Sequence, residues 1–529
     1  MHYDIVIAGG GFAGAYCART LGRAWGKAGP QRVALIAERN VLVFQPMLAE
    51  VAGSTLAPLD VVNPLRHFCR GVSVFQGAIQ RIDWEKKAVV VDGGPFTRHR
   101  EIGFNQLVLT LGSATDLRGI PGMADYGRPM KDLADAVRLR SVLINRLEEA
   151  NLTENAEDRT RLMTYVVVGG GYTGVETAGQ IGDFLREAYR YYNNLKETPP
   201  QILLVHAGTE LLPEIGPALG KYAREVLVER GTEVRLNTKV VAVTARRVHL
   251  EDGMAVEANT VVTTIGSGPN PVVLDLCRQL GLEAPKGRVR VRPTLRVPGH
   301  DDLWAAGDGA SVPWDDRGQA KVSPPTAQFA VRQGVQLAKN ILRADREQPL
   351  RPFRHRYMGQ LAVVGKRHAV AEVMGWHFRG LIAWWLWRTI YLSKLPGAAR
   401  RLRVTIDWTF DLFFPRDTSL VMPPANEVLR AVHLDRGDPL FALGDQCRVL
   451  FYLRKGAVVL SPAAGPAETV GAGAVIDGNW LDGDGKWSCS ATAAEPSDLI
   501  VFRGLALELF RAELQIVPRP QPAQTATAS

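Results

Sequence analysis

The stretch Asp4-Ile5-Val6-Ile7-Ala8-Gly9-Gly10-Gly11-Phe12-Ala13-Gly14 decides the fold. An apolar run of strand length opens into Gly-x-Gly-x-x-Gly and then into the helix-like residues Ala15 to Leu21. In that pattern Gly9 permits the tight turn, Gly11 lets the backbone approach a pyrophosphate, and Gly14 lets helix and strand pack closely at a positively polarised helix start. The next apolar strand, Val33 to Ala37, ends in Glu38, 24 residues after Gly14, where a carboxylate accepts from a ribose hydroxyl. The same order recurs at Tyr165-Val166-Val167-Val168-Gly169-Gly170-Gly171-Tyr172-Thr173-Gly174, followed by the helical stretch Val175 to Leu185. Two such units about 160 residues apart predict one tightly held and one exchanging dinucleotide, which points to a flavin and a nicotinamide.

Two further strand ends support the flavin. Leu303-Trp304-Ala305-Ala306-Gly307-Asp308 places Asp308 where it accepts from ribityl hydroxyls, and Leu107-Val108-Leu109-Thr110-Leu111-Gly112 is another strand-to-glycine turn. The expected class is α/β, with two Rossmann-like domains. A flavin domain at 1–115 and 291–350 is interrupted by a nicotinamide domain at 116–290.

The 529 residues suggest three or four domains, and 46% hydrophobic with 22% charged residues excludes collagenous and low-complexity classes. The five cysteines are scattered without a C-x-x-C pair, which argues against a disulfide framework or a structural zinc site and predicts no bound metal. The net charge of +9 is concentrated: residues 351–422 hold 12 Lys/Arg against 4 Asp/Glu and five of the eleven tryptophans. Indole beside Lys/Arg is the composition of a membrane interface. No nucleic-acid motif accompanies the charge. The longest apolar run, Leu381 to Leu392, contains Arg388 and is too short to cross a bilayer. A first strand close to the initiator Met predicts no signal peptide and a protein on the cytoplasmic face of the cell membrane, peripheral and monotopic.

At this point the residues resemble the type II NADH:quinone oxidoreductases of the two-dinucleotide flavoprotein superfamily. Asn40-Val41-Leu42-Val43-Phe44-Gln45-Pro46-Met47-Leu48-Ala49-Glu50-Val51-Ala52 is similar to that family's F-x-P-L-L-x-E-V-A segment, and Ala327-Gln328-Phe329-Ala330 to its A-Q-x-A-x-Q quinone-side motif, where Arg332 replaces the second glutamine. The likeness covers about four-fifths of the chain. It implies FAD on Gly9, Gly11, Phe12, Ala13, Gly14, Glu38, Arg39, Gln45, Thr110, Gly112, Gly307, Asp308 and Ala327. It implies NADH on Gly169, Gly171, Tyr172, Thr173, Gly174, His206 and Gly266. It further implies Glu176 and Lys366 as catalytic residues near the flavin, Gln328 and Arg332 on the quinone side, and a membrane quinone as acceptor. His206 stands where the family has an acid that repels the extra phosphate of NADPH, so NADH is expected to be preferred with NADPH possible. Sulfide:quinone reductases, ferredoxin reductases and a non-catalytic flavoprotein sensor are the alternatives. Residues 44–55 contain no C-x4-C pair, which excludes disulfide exchange.

Residues 351–422 form the expected membrane-association region. Trp384, Trp385, Trp387, Arg400, Arg401 and Arg403 would meet an anionic lipid surface, with a dimer interface or core packing as the alternative; the resemblance implies that the region serves both membrane and homodimer contacts. Beyond Pro423 short strands with glycine turns are similar to a cyclic-nucleotide-binding β-roll, residues 423–515, with a closing helix at 505–514. Gly478-Asn479 and Cys489-Ser490-Ala491-Thr492 stand where that fold carries its charged ligands, so a cyclic nucleotide is not expected, and the module is read as a packing, dimerisation or docking element. The tail 516–529 reads as disordered.

Overall fold

Two parallel sheets carry the glycine loops. The computed structural model describes residues 1–94, 97, 99–316, 319–420, 429–445, 449–476 and 486–503. In the first sheet the strand His2–Ala8 lies between Val33–Ala37 and Arg100–Leu109, both pairings parallel. Ser73–Gln76 extends one side, and Leu303–Ala305, remote in sequence, adds in parallel beside Leu107 to Leu109. All five residues of Val33–Ala37 are buried. Helices cover both faces of such a sheet, so its strands read as unbroken apolar runs. Ala78–Asp83 and Ala88–Asp92 complete it in antiparallel fashion.

The second sheet has the order Gly127–Pro129, Thr260–Thr263, Thr164–Val168, Gln201–Val205, Thr232–Arg235, parallel throughout. A short antiparallel pairing of Ala114–Thr115 with Ser267–Gly268 joins the two halves where the chain leaves one and returns to the other. The helix Phe12–Trp25 crosses Ala327–Ala344 at close range. A methyl group at Gly334 would lie 2.1 Å from the Ala13 carbonyl oxygen, so glycine is required there.

The antiparallel strands Gly359–Gly365, His368–Val373 and Trp376–Arg379 come next, then the helices Gly380–Lys394 and Ala398–Phe413. The first of these strands lies directly on the helix Tyr172–Ala188: an added Cβ at Gly179 would meet the Val364 carbonyl oxygen at 2.2 Å. No helix among the described residues is long and apolar enough to cross a membrane.

The C-terminal module consists of two four-stranded antiparallel sheets around its own core, where Phe441 stacks on Trp487 with centroids 3.9 Å apart. The stretch 449–462 is divided at Gly456, φ +90°, into the strands Val449–Lys455 and Ala457–Pro462. Cys489-Ser490-Ala491-Thr492 lie on the strand Cys489–Ala493. Gly478-Asn479, the expected closing helix and the tail lie outside the described residues. Asp435 and Asp438 approach Arg247 at 3.7 and 3.8 Å, and His249 is 3.6 Å from Asp435, so the module touches the second domain through charge.

Candidate active site

The two glycine loops are built alike. Each ends in a helix whose N-cap is glycine, Gly11 for Phe12–Trp25 and Gly171 for Tyr172–Ala188, and neither cap position supplies a side-chain hydrogen bond. The first-turn N–H groups therefore remain for an anion. An added Cβ meets nothing within 4 Å at Gly11 or Gly171. At Gly14 it would stand 1.9 Å from the Gly9 oxygen and at Gly174 1.7 Å from the Gly169 oxygen. Gly9 and Gly169 adopt φ of +111° and +113°.

A threonine pins each turn. The Thr110 hydroxyl lies 3.0 Å from both the Ala8 and Gly9 carbonyls, and the Thr264 hydroxyl 3.0 Å from Val168 and 3.3 Å from Gly169. Thr110 is thus a loop-positioning residue. Thr264, which the sequence reading did not single out, is its counterpart; the repeated Thr-x-Gly of Thr110-Leu111-Gly112 and Thr264-Ile265-Gly266 was the available signal.

Around the first loop, Glu38 is exposed at the end of its strand, while Arg39 pairs with Asp132 at 2.5 Å. Among the described residues Gln45 reaches the Lys131 carbonyl, at 3.5 Å. Phe12 is buried edge-on against Phe44, so its side chain is core and its backbone is what lies at the loop. The Gly307 N–H donates to Gln333 Oε1 at 2.8 Å, which fixes the turn that presents Asp308. Burial raises the Asp308 pKa, with Arg288 and Lys131 opposing it. Gln333, Arg288 and Lys131 carried no sequence signal because they arrive from separate segments. Ala327 starts the helix Ala327–Ala344, whose N-cap Thr326 makes no side-chain cap.

Around the second loop, His206 turns back on the chain: its Nδ1 accepts the Gly170 N–H at 3.1 Å, which requires that nitrogen to be unprotonated. Burial lowers its pKa in the same sense. Tyr172 is half-buried, Thr173 is exposed, and Gly266 accepts the Asp116 N–H at 2.6 Å.

Glu176, in the first turns of the second helix, accepts the Val363 N–H at 3.2 Å. It lies deep in the fold with part of its surface still accessible. Burial pushes its pKa up to about 8, against the Val363 hydrogen bond and with reinforcement from Glu50. The Trp387 indole lies against it without a well-formed hydrogen bond. The Gln328 amide is held at both ends, donating to the Gly359 oxygen at 3.2 Å and paired through Oε1 with His355 Nε2 at 2.9 Å. His355, which the sequence reading missed, has its pKa lowered to about 4 by burial, Arg332 and Lys394. The neutral imidazole therefore donates, and among the described residues the second N–H of the Gln328 amide has no partner. Arg332 folds onto the Gln328 carbonyl at 2.9 Å and onto the Met358 sulfur at 3.4 Å.

Two expectations are corrected, both of them tryptophans, and Lys366 takes a definite place. The Lys366 N–H donates to Asp183 Oδ2 at 2.6 Å and its ammonium lies 3.9 Å from Asp411, at some distance along the helix from Glu176. Asp183 is seven residues further along the helix, a rise of about 10 Å. Trp384 and Trp387 are not lipid anchors, being 3% and 1% exposed. With Arg388 they form the inward stripe of their helix. The Arg388 guanidinium stacks on Trp384 at 3.7 Å and on Trp408 at 4.8 Å, so the indole faces solvate a buried cation. Trp385 is 55% exposed, and Arg401 and Arg403 are exposed with Arg400 half-buried.

Two dinucleotide cradles on two parallel sheets, one of them completed by a strand from beyond the other, define a two-dinucleotide flavoprotein. The chain belongs to the pyridine nucleotide-disulphide oxidoreductase family, whose model matches residues 3–334, and within it to the type II NADH:quinone oxidoreductases, with an NDH2 C-terminal domain at 357–417. It is 28% identical over 433 residues to the type II NADH:quinone oxidoreductase Ndh of Mycobacterium tuberculosis, covering 79% of this chain and 90% of that one. It is 30% identical over 413 residues to the demethylphylloquinone reductase NdbB of Synechocystis sp., covering 76% and 95%. Its fold matches the structure of NDH2 from Plasmodium falciparum in complex with NADH, with a TM-score of 0.72, 19% identity, and coverage of 78% and 99%.

The residues present fit FAD. The open Gly11 backbone at an uncapped helix start suits a pyrophosphate, exposed Glu38 a ribose, and half-buried Asp308 a row of hydroxyls. The described cysteines, Cys17, Cys69, Cys277 and Cys489, are buried thiols whose pKa values burial raises, the opposite of a reactive thiolate.

Proposed function

We propose that this protein is a membrane-peripheral, non-proton-pumping NADH:quinone oxidoreductase working at the cytoplasmic face of the membrane as a homodimer. When bound, FAD supplies the two-electron chemistry, taking hydride from NADH and returning electrons to quinone. The observation that carries the reading is Glu176, a buried carboxyl on the nucleotide-side helix hydrogen-bonded to Val363 of the C-terminal domain. At neutral pH Glu176 holds its proton, so it is placed to supply one as quinone is reduced. The remaining N–H of Gln328 orients an acceptor carbonyl, and His355 and Gly359 hold that amide in place.

Support for a lipid-borne acceptor comes from one apolar surface. Leu381, Ile382 and Trp385 on one helix, and Leu402, Ile406, Phe410 and Phe413 on the next, are exposed beside Arg401 and Arg403. Exposed aromatic and aliphatic groups ringed by arginine suit an anionic interface. NADH is preferred, with weaker exclusion of NADPH than an acid at position 206 would give. The C-terminal β-roll serves packing or docking and takes no cyclic nucleotide.

The test is anaerobic addition of NADH to the yellow protein, followed by a short-chain quinone, with NADPH in parallel. Rapid loss of flavin absorbance and its rapid return on adding quinone are expected. The return rate should fall as pH rises through about 8, where Glu176 loses its proton. Bleaching that quinone does not reverse overturns the acceptor assignment.

A further inference from the structure

Away from the two glycine loops, a cleft of about 560 Å³ gathers charge where the helix Tyr172–Ala188 ends beside the end of the helix Ala398–Phe413. Part of its lining is cationic. Arg186 comes from the last turn of the first helix and Arg190 from the turn that follows. Arg230 comes from the end of Pro217–Glu229, and Lys366 from the turn after the strand Gly359–Gly365. Against these four cations the cleft holds two carboxylates, Asp183 and Glu187.

Both carboxylates are already engaged. Asp183 accepts from Arg186 at 3.1 Å, from Arg230, and from the Lys366 N–H at 2.6 Å. Glu187 accepts the Arg416 N–H at 2.9 Å. The Lys366 ammonium lies 3.9 Å from Asp411, a carboxylate that Arg416 approaches to 3.2 Å and Arg388 to 3.8 Å. Arg190 is exposed, with neither a hydrogen bond nor an ion pair among the described residues. Arg186 Nη1 and Arg230 Nε are buried without a hydrogen-bond partner among the described residues, so the cluster is short of acceptors. The dipole of one helix end accounts for Arg186 and Arg190. It does not account for an arginine from a second helix and a lysine from a strand turn converging on the same cleft.

The remainder of the lining is apolar. Phe413 is 77% exposed, and Phe414, also exposed, stacks on exposed Phe410 with centroids 5.3 Å apart. The rings thus continue the apolar surface of the helix Ala398–Phe413 into the cleft. Guanidinium groups short of acceptors beside exposed phenyl rings complement a molecule with an anionic head and an apolar tail. A free phosphate would use the cations and leave the rings in water.

We propose that this cleft seats the phosphate head of an acidic phospholipid, one molecule per chain, with an acyl chain against Phe413 and Phe414. The inference rests on the membrane-peripheral part of the function proposed above and deepens it. A diffuse basic surface responds to the overall charge of a bilayer, whereas this cleft ties one headgroup to the nucleotide domain through Arg190 and Lys366.

The experiment uses the full-length, FAD-loaded protein. First, sedimentation with phosphatidylcholine vesicles, with and without phosphatidylglycerol, compares wild type, Arg190→Glu and Arg100→Glu, the last an equal charge change on an exposed residue of the first sheet. Affinity for the phosphatidylglycerol vesicles should fall about tenfold in Arg190→Glu and stay within about twofold in Arg100→Glu. Second, calorimetry with monomeric dihexanoyl-phosphatidylglycerol and with glycerol phosphate separates a lipid from a free phosphate. The lipid should bind at one site per chain and glycerol phosphate about tenfold more weakly, and Phe413→Ser should weaken the lipid alone. Equal losses in the two charge variants, or no loss in Arg190→Glu, overturn the site, as does glycerol phosphate binding as tightly as the lipid. A change of oligomeric state in Arg190→Glu with unchanged vesicle affinity gives the cleft to a second copy of the chain and overturns the proposal. Should Arg190→Glu fail to fold, Phe413→Ser decides, an unchanged lipid affinity overturning the site. Wild type that binds both kinds of vesicle equally loses the headgroup site and keeps the peripheral reading; wild type that binds neither loses both.

Discussion

The two glycine loops share a turn, a pinning threonine and a methyl-excluding third glycine, yet they differ in the residue that ends the next strand. After Val33–Ala37 the chain presents Glu38, exposed. After Gln201–Val205 it presents His206, folded back to accept the Gly170 N–H. The loop backbones are thus alike, and on the proposed function nucleotide choice would fall to one side chain at the strand end. In the first loop that side chain is exposed. In the second it is spent on the protein.

The most severe way to break the parallel is at the third glycines. Gly14→Ala sets a methyl 1.9 Å from the Gly9 oxygen and 2.6 Å from Thr110 Oγ1, and the purified protein should lose its flavin. Gly174→Ala makes the equivalent clash, at 1.7 Å, but should leave the protein yellow while slowing bleaching by NADH about 100-fold, the effect of roughly 3 kcal/mol of overpacking. Flavin absorbance after gel filtration and single-turnover bleaching separate the two.

A smaller effect is expected at the threonines. Thr264→Val removes the hydroxyl that ties Val168 and Gly169 and costs about 1 kcal/mol, so the KM for NADH should rise about fivefold with flavin content unchanged. Thr110→Val should instead hasten flavin release, measured as fluorescence recovery on dilution. If both variants affect the same cofactor, the assignment of one loop to each dinucleotide is wrong.

The mildest change sharpens the comparison. His206→Glu should restore repulsion of a 2′-phosphate and widen the NADH-to-NADPH ratio of kcat/KM by about tenfold. Because burial lowers the His206 pKa, the wild-type ring stays neutral above its ordinary titration range, and the KM for NADH should be flat from pH 7 upward. A KM that climbs through that range would mean that a charged imidazole contributes to nucleotide binding.

How legible the site was depends on whether its parts lie close in sequence. The glycine loops, Glu38 and the Gly307-Asp308 turn were readable because a phosphate cradle needs consecutive residues with defined backbone freedom. The tryptophan cluster was misread as composition. Trp384, Trp387 and Arg388 fall at helical spacing on one face and Leu381, Ile382 and Trp385 on the other, the periodicity that separates core from surface. Lys366 follows the strand Gly359–Gly365, and its place is set by Asp183 and Asp411, which come from two helices remote in sequence.

From the order of residues alone came two dinucleotide cradles, the discontinuous first domain and the basic aromatic region, because each rests on local backbone chemistry or on composition; the acceptor motif around Gln328 was legible only through the resemblance to a family. Packing assigned the rest. Which tryptophans meet solvent, that His355 orients Gln328, and that Glu176 meets Val363 all result from segments remote in sequence being pressed into one core. Desolvation and hydrogen-bond geometry, which set the protonation of that carboxyl, exist only once that core has closed.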